Sequence, residues 1–133
     1  MGLLKRILGI CKTSPPDDPE CWRYSQGKLE IALDRARELA NRGGAIRLEG
    51  KGLPRRILVF HGNDGKFHAL GNKCTHIGGR RVDPVAGSET VQCCSVMGST
   101  YDYAGRVLSG PAKKPLTAFG VESRNEKLIV SIR

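Results

Sequence analysis

Two short cassettes constrain this chain more than any other feature: Cys74-Thr75-His76 and, beyond the intervening residues 77–93, Cys94-Ser95-Val96-Met97. Each places a thiol close to a second metal donor on one stretch of backbone. Two such cassettes serve one site only if the fold brings both loops to the same end of a rigid scaffold. The rest of the sequence must therefore supply that scaffold and leave the cassettes at the tips of turns.

The pattern after residue 44 is of short extended runs separated by turn residues. Strands are expected at 45–49, 56–61, 67–70, 90–93, 100–103, 106–108, 116–122 and 127–132. Gly62-Asn63-Asp64-Gly65 closes one hairpin and Arg124-Asn125 closes the last. Seventeen glycines in 133 residues suit a turn-dense β protein. Eight short strands with close turns argue for an antiparallel sandwich or barrel.

Before residue 44 the pattern differs. Residues 1–12 are a short basic amphipathic piece, suited to an anionic membrane surface or a partner subunit. Residues 13–21 carry three prolines and read as a linker. Residues 28–41 place Leu29, Ala32, Leu33, Ala36, Leu39 and Ala40 at spacings of three and four, which predicts an amphipathic helix. Asp34 with Arg37 and Arg35 with Glu38 would pair along it, and Gly43-Gly44 would stop it. The expected organisation is an extension over 1–43 and a β domain over 44–133.

A net charge of +9 points to acidic partners. No helix-turn-helix, zinc-finger or RNA-binding signature is present, so nucleic acid is not expected. The apolar start is interrupted by Lys5 and Arg6, unlike a secretory leader, and no run is long enough to cross a bilayer. A reducing, cytoplasmic compartment is expected, where clustered Cys and His more often bind metal than form disulfides. Of the five cysteines, Cys93 alternates with Cys94 on a strand and reads as small core filling. Cys11 and Cys21 read as thiols that are unpaired or face a partner. His61 and His68 are expected at a hairpin surface.

Cys74-Thr75-His76-Ile77-Gly78-Gly79 and Cys94-Ser95-Val96-Met97-Gly98-Ser99-Thr100-Tyr101-Asp102 resemble the two loops of the Rieske iron–sulfur family. The segment 104–112 is similar to the strand and Pro loop that follow them, and the resemblance runs from about Ala45 to the C-terminus. It implies an all-β, Rieske-like antiparallel sandwich or barrel with an inserted cluster-binding subdomain, its loops at about 71–113, preceded here by the one helix. It implies a [2Fe-2S] cluster with Cys74 and Cys94 on one iron and His76 on the other. Met97 stands where the family has its second histidine. A thioether is neutral, like imidazole, but softer, a weaker donor and without an ionisable N–H. If Met97 does not bind, then water, His61, His68 or Cys93 would have to serve. Membrane-bound respiratory members usually carry one further cysteine in each loop. The chain lacks both and looks more like the soluble ferredoxin type.

The expected function is that of an electron carrier or redox subunit rather than an enzyme. Its partners would be acidic redox proteins or a larger oxidoreductase complex, with peripheral membrane contact through residues 1–12. Lys73, Arg80, Arg81, Arg106, Lys113 and Lys114 flank the loops and would form a basic docking rim. A clusterless structural or regulatory subunit of the same fold, as in small subunits of some nitrite reductases, is one alternative. A mononuclear metal held by Cys74, His76 and Cys94 is another.

Overall fold

The run Ile57-Leu58-Val59-Phe60 is apolar without alternation, and all four side chains are fully buried. A strand of that composition needs an apolar neighbour on both faces, and the architecture supplies two. The computed structural model describes residues 3–8, 10–76, 80–95 and 98–132, with the side chains of residues 5–7 outside that description. One short helix, α1 (Leu3–Leu8), precedes the strands β1 (Trp22–Ser25), β2 (Lys28–Ala32), β3 (Ala45–Leu48), β4 (Ile57–His61) and β5 (Phe67–Gly71). There follow β6 (Val82–Pro84), β7 (Thr90–Cys93), β8 (Thr100–Asp102) and β9 (Val107–Ser109). The chain closes with β10 (Ala118–Phe119), β11 (Val121–Arg124) and β12 (Lys127–Ser131).

These make three four-stranded antiparallel sheets. The outer sheet runs β1-β2-β12-β11, the middle sheet β10-β5-β4-β3, and the third β6-β7-β8-β9. Between outer and middle sheets lies a core of Leu29, Ile31, Leu128 and Val130 against Ile46, Leu48, Ile57 and Val59. On the other face of the middle sheet, Leu58, Phe60 and Leu70 pack against Val82, Val91, Cys93 and Tyr101 of the third. Alternate residues of β4 thus enter different cores, as strand geometry requires. The third sheet is an insertion between β5 and β10, which pair with each other at Leu70↔Ala118 and Ala69↔Phe119. A bond from the Gly71 N–H to the Thr117 carbonyl, 2.8 Å, closes its base.

The helix expected over 28–41 is not there. Lys28–Ala32 is strand β2, hydrogen-bonded to β1 on one side and β12 on the other. Leu29 and Ile31 are fully buried, while Lys28 and Glu30 point outward. Ile31 falls off the apolar face of the helical reading, yet it is a core residue. Helix propensities differ by only tenths of a kcal/mol per residue. Two buried side chains and a ladder on each edge outweigh them. Gln26-Gly27, both at positive φ, form the tight turn that folds β1 back on β2. Ala36 and Leu39 reach the same core from an irregular stretch containing one 3-10 turn, Arg37–Leu39. In place of the expected helical ion pairs there are longer-range contacts. Arg35 binds Asp18 at 2.7 Å, and Glu38 accepts the Asp17 N–H at 2.7 Å.

The strands expected from 45 onward are otherwise found, except that 116–122 is broken into β10 and β11 at Gly120, and β6 is additional. A strand of three residues, Val82-Asp83-Pro84, carries too little pattern to be seen.

Candidate metal centre

Both cassettes emerge at the same end of the third sheet because backbone bonds tie them to adjacent residues. The Cys74 N–H donates to the Arg80 carbonyl at 2.8 Å, and the Cys94 N–H to the Arg81 carbonyl at 2.9 Å. Consecutive carbonyls therefore anchor the two loops. Asn72 braces the first loop from below. It is buried, and its Oδ1 accepts the Val82 N–H at 2.9 Å.

Cys74 is buried, with Sγ 3.6 Å from the hydroxyl of Tyr101. That hydroxyl also meets Thr75 Oγ1 at 3.0 Å, and Thr75 Oγ1 donates to the Lys114 carbonyl at 2.6 Å. Burial raises the Tyr101 hydroxyl above its ordinary value, so it stays protonated. His76, two residues on, is exposed. On the second loop, the Cys93 N–H donates to the Ser99 carbonyl at 2.8 Å, and Ser95 Oγ accepts the Gly98 N–H at 3.3 Å. Ser99 Oγ accepts the Ala112 N–H at 3.0 Å, docking the proline-containing segment after β9 onto the second loop. Gly110 makes that docking possible. Its φ is +93°, and a Cβ there would lie 2.5 Å from the Ser99 Cα.

Cys93 is buried beside Cys74, and its thiol is pushed up to about 12, by burial first and then by its hydrogen bond with Cys74. Cys94 forms a disulfide with Cys11. This corrects the reading of Cys11 as an unpaired thiol. The two are 83 residues apart, and no local signal links them. Cys21 is unpaired, one of the two expected states, and is buried in the core between outer and middle sheets. Val96 and Met97 lie outside the described residues, as do Ile77, Gly78 and Gly79.

His61 and His68 are engaged elsewhere and less exposed than expected. His61 Nδ1 lies 3.0 Å from the Leu39 carbonyl, and His68 Nε2 lies 2.8 Å from Asp64. His68 also stacks on Phe60 and meets Tyr103 at a tilt. The expected basic rim is partly consumed. Arg81 holds Glu49 through two contacts of 2.7 and 2.9 Å, and Arg106 holds Asp102 at 3.0 Å. Unforeseen is a cleft of about 550 Å³ beside the first loop, lined by Arg55, Arg56, Lys73, Asn72, Thr75 and Leu116 among others. No carboxylate lines it among the described residues.

Comparison with known proteins gives this arrangement its class. The Rieske [2Fe-2S] domain family matches residues 30–120, and the chain belongs to that family. The cytochrome b6-f complex iron-sulfur subunit 1 of Nostoc sp. is 29% identical over 103 residues, 77% of this chain and 56% of that protein. The chain thus spans just over half the length of that relative. Among solved structures, the ferredoxin of carbazole 1,9a-dioxygenase from Nocardioides aromaticivorans shares the fold at TM-score 0.61. The identity is 19%, with 77% of this chain and 94% of that one covered. The plasma membrane Rieske protein of Synechocystis matches at TM-score 0.54 and 24% identity, over 66% and 86% of the two chains.

A [2Fe-2S] cluster is the family's cofactor. The donors described here fit it in kind, with buried cysteine sulfur and an exposed imidazole on two loops anchored side by side. Asn72 Nδ2, a buried donor beside the first loop, has no acceptor among the described residues. Two adjustments are required: Cys94 can donate to iron only as a thiolate, with its bond to Cys11 open, and its sulfur must then turn toward Cys74, which Cys93 meets in this structure.

Proposed function

We propose that this domain is a one-electron carrier within a larger oxidoreductase system. Cys74, His76, Cys94 and Met97 are the residues that would hold the cluster. When bound, the cluster supplies a reversible one-electron couple. The observation that carries this reading is the anchoring of the two family-position cysteines to adjacent carbonyls, those of Arg80 and Arg81.

The chain's own residues set the conditions for that couple. Cys74 and Tyr101 keep sulfur out of water and give it a hydroxyl neighbour, both levers on an iron–sulfur potential. His76, exposed, gives the outer edge of the site to a partner. Met97 leaves the charge count of the family's ligand set unchanged but removes one ionisable imidazole. The cleft with Arg55, Arg56 and Lys73 opens beside this edge and favours an acidic partner surface. Leu3, Leu4, Leu8 and Ile10 are exposed around α1. With the basic residues of 1–12, they suit contact with the oxidoreductase or with an anionic membrane face. No helix among the described residues is long and apolar enough to span a membrane.

Electron paramagnetic resonance of the dithionite-reduced protein, with iron and acid-labile sulfide analysis, tests the reading. A reduced [2Fe-2S] signal is expected, with sulfide equal to iron. Iron without sulfide would indicate a mononuclear site, and neither would indicate an empty scaffold. Met97→His should keep the cluster, lower its potential and add a second pH-dependent step. An unchanged potential–pH curve would remove Met97 from the ligand set.

A further inference from the structure

The segment carrying Cys11 is fastened beside the candidate metal centre by more than its sulfur. The N–H groups of Lys12 and Thr13 donate to Asp83 Oδ2 and Oδ1 at 2.6 and 3.1 Å. Asp83 lies in β6, is buried, and pairs with Gln92 of β7, two residues before Cys94. One residue further on, the Ser14 carbonyl accepts the Arg47 N–H at 3.1 Å, tying the segment to β3. A buried carboxylate satisfied by two backbone donors is a specific socket. It presents Cys11 to Cys94 independently of the bond between their sulfurs.

We infer that Cys11 and Cys94 form a thiol–disulfide gate on cluster loading. The inference rests on the reading of Cys94 as an iron ligand, because a sulfur in a disulfide has no thiolate to give. The gate opens by exchange with a dithiol reductant. One thiolate of the reductant attacks Cys11 Sγ, which is the more accessible, since Cys94 is buried and Cys11 only partly so. The Cys11–Cys94 bond breaks and Cys94 leaves as thiolate, already on the loop anchored to Arg81. The reductant's second thiol then releases Cys11. In total, two electrons and two protons pass to the cysteine pair, and the dithiol becomes a disulfide. Exchange with a small-molecule disulfide runs the same steps backwards. The Asp83 socket keeps Cys11 at high effective concentration for that return. A domain that has lost its cluster is thereby capped at Cys94 under oxidising conditions and reopened under reducing ones.

The full chain, prepared cluster-free and without reductant, provides the test. Peptide mapping without reduction should recover a Cys11–Cys94 cross-link, with the other three cysteines alkylated. Cluster transfer from a [2Fe-2S]-loaded scaffold protein, without small thiols, should then fail. It should succeed after dithiol treatment and removal of the dithiol, as followed by visible circular dichroism. Cys11→Ser should load with or without that treatment and give the wild-type paramagnetic resonance signal. Asp83→Asn, which retains both cysteines, should re-form the disulfide more slowly with glutathione disulfide. Equal loading of oxidised and reduced wild type, or no cross-link, overturns the gate and leaves the carrier reading intact. An altered signal in loaded Cys11→Ser also overturns it, by making Cys11 an iron ligand. Failure of every arm to load overturns both readings.

Discussion

The two ends of this molecule are held by different forces. Between outer and middle sheets, the core is built from Leu29, Ile31, Ile46, Leu48, Ile57, Val59, Leu128 and Val130, with few polar groups to orient. At the other end, position depends on single hydrogen bonds. Asn72 reaches Val82, Tyr101 reaches Thr75, Ser99 reaches Ala112, and Asp83 reaches Lys12 and Thr13. Burial of hydrocarbon is strong but non-directional, whereas hydrogen bonds are weak in net stability and strict in geometry. Both cores contribute burial to the free energy of folding, and the metal end adds the hydrogen bonds that fix its loops.

Mutations at the two ends should separate these roles. Ile31→Ala removes a fully buried side chain from the base and should lower stability by about 3 kcal/mol, measured by chemical denaturation. The fold should still melt in one transition, because the middle sheet belongs to both cores. Separate melting of the two ends would break the comparison. Gly110→Ala should cost about 2 kcal/mol, from its positive φ and the clash with Ser99. Its distinguishing readout is faster hydrogen exchange at Ala112 and Ser99, with the amides of β2 and β12 unchanged. Tyr101→Phe should cost about 1 kcal/mol and loosen Thr75 while leaving the apolar packing in place.

The smallest effect concerns pH. The hydrogen bond from Arg81 holds the Glu49 carboxyl below its ordinary value, with help from Arg47. Because the folded-state value is depressed, the contribution is complete above the ordinary carboxylate value. It is lost as pH falls through the lower, native one. Denaturation midpoints should decline over that acidic window, and Glu49→Gln should flatten that part of the decline. An identical acid profile in the variant would show that this ion pair does not help to seat β6.

How far the sequence was legible follows the same division. Strands with strong local pattern, such as β4, β5 and β12, were readable, as were the two cassettes, because their spacing is itself the signal. Residues 28–32 were misread because apolar residues over so short a stretch satisfy two periods at once. Only pairing with β12, nearly a hundred residues away, selects between them. Asp83 carries no signal in the sequence, and Cys11 reads as an unpaired thiol. Neither carries a local pattern, since each is defined by the other's neighbourhood.

The sequence by itself marked the two cassettes and, through them, the family, because residue type and spacing are local. It also determined that the scaffold is β, through the turns and the apolar runs after residue 44. The tertiary structure alone decided that Lys28–Ala32 is a strand, that Asp83 is a socket, and that Cys11 meets Cys94. Those outcomes depend on contacts between distant segments, where backbone pairing and burial override what each segment would choose alone.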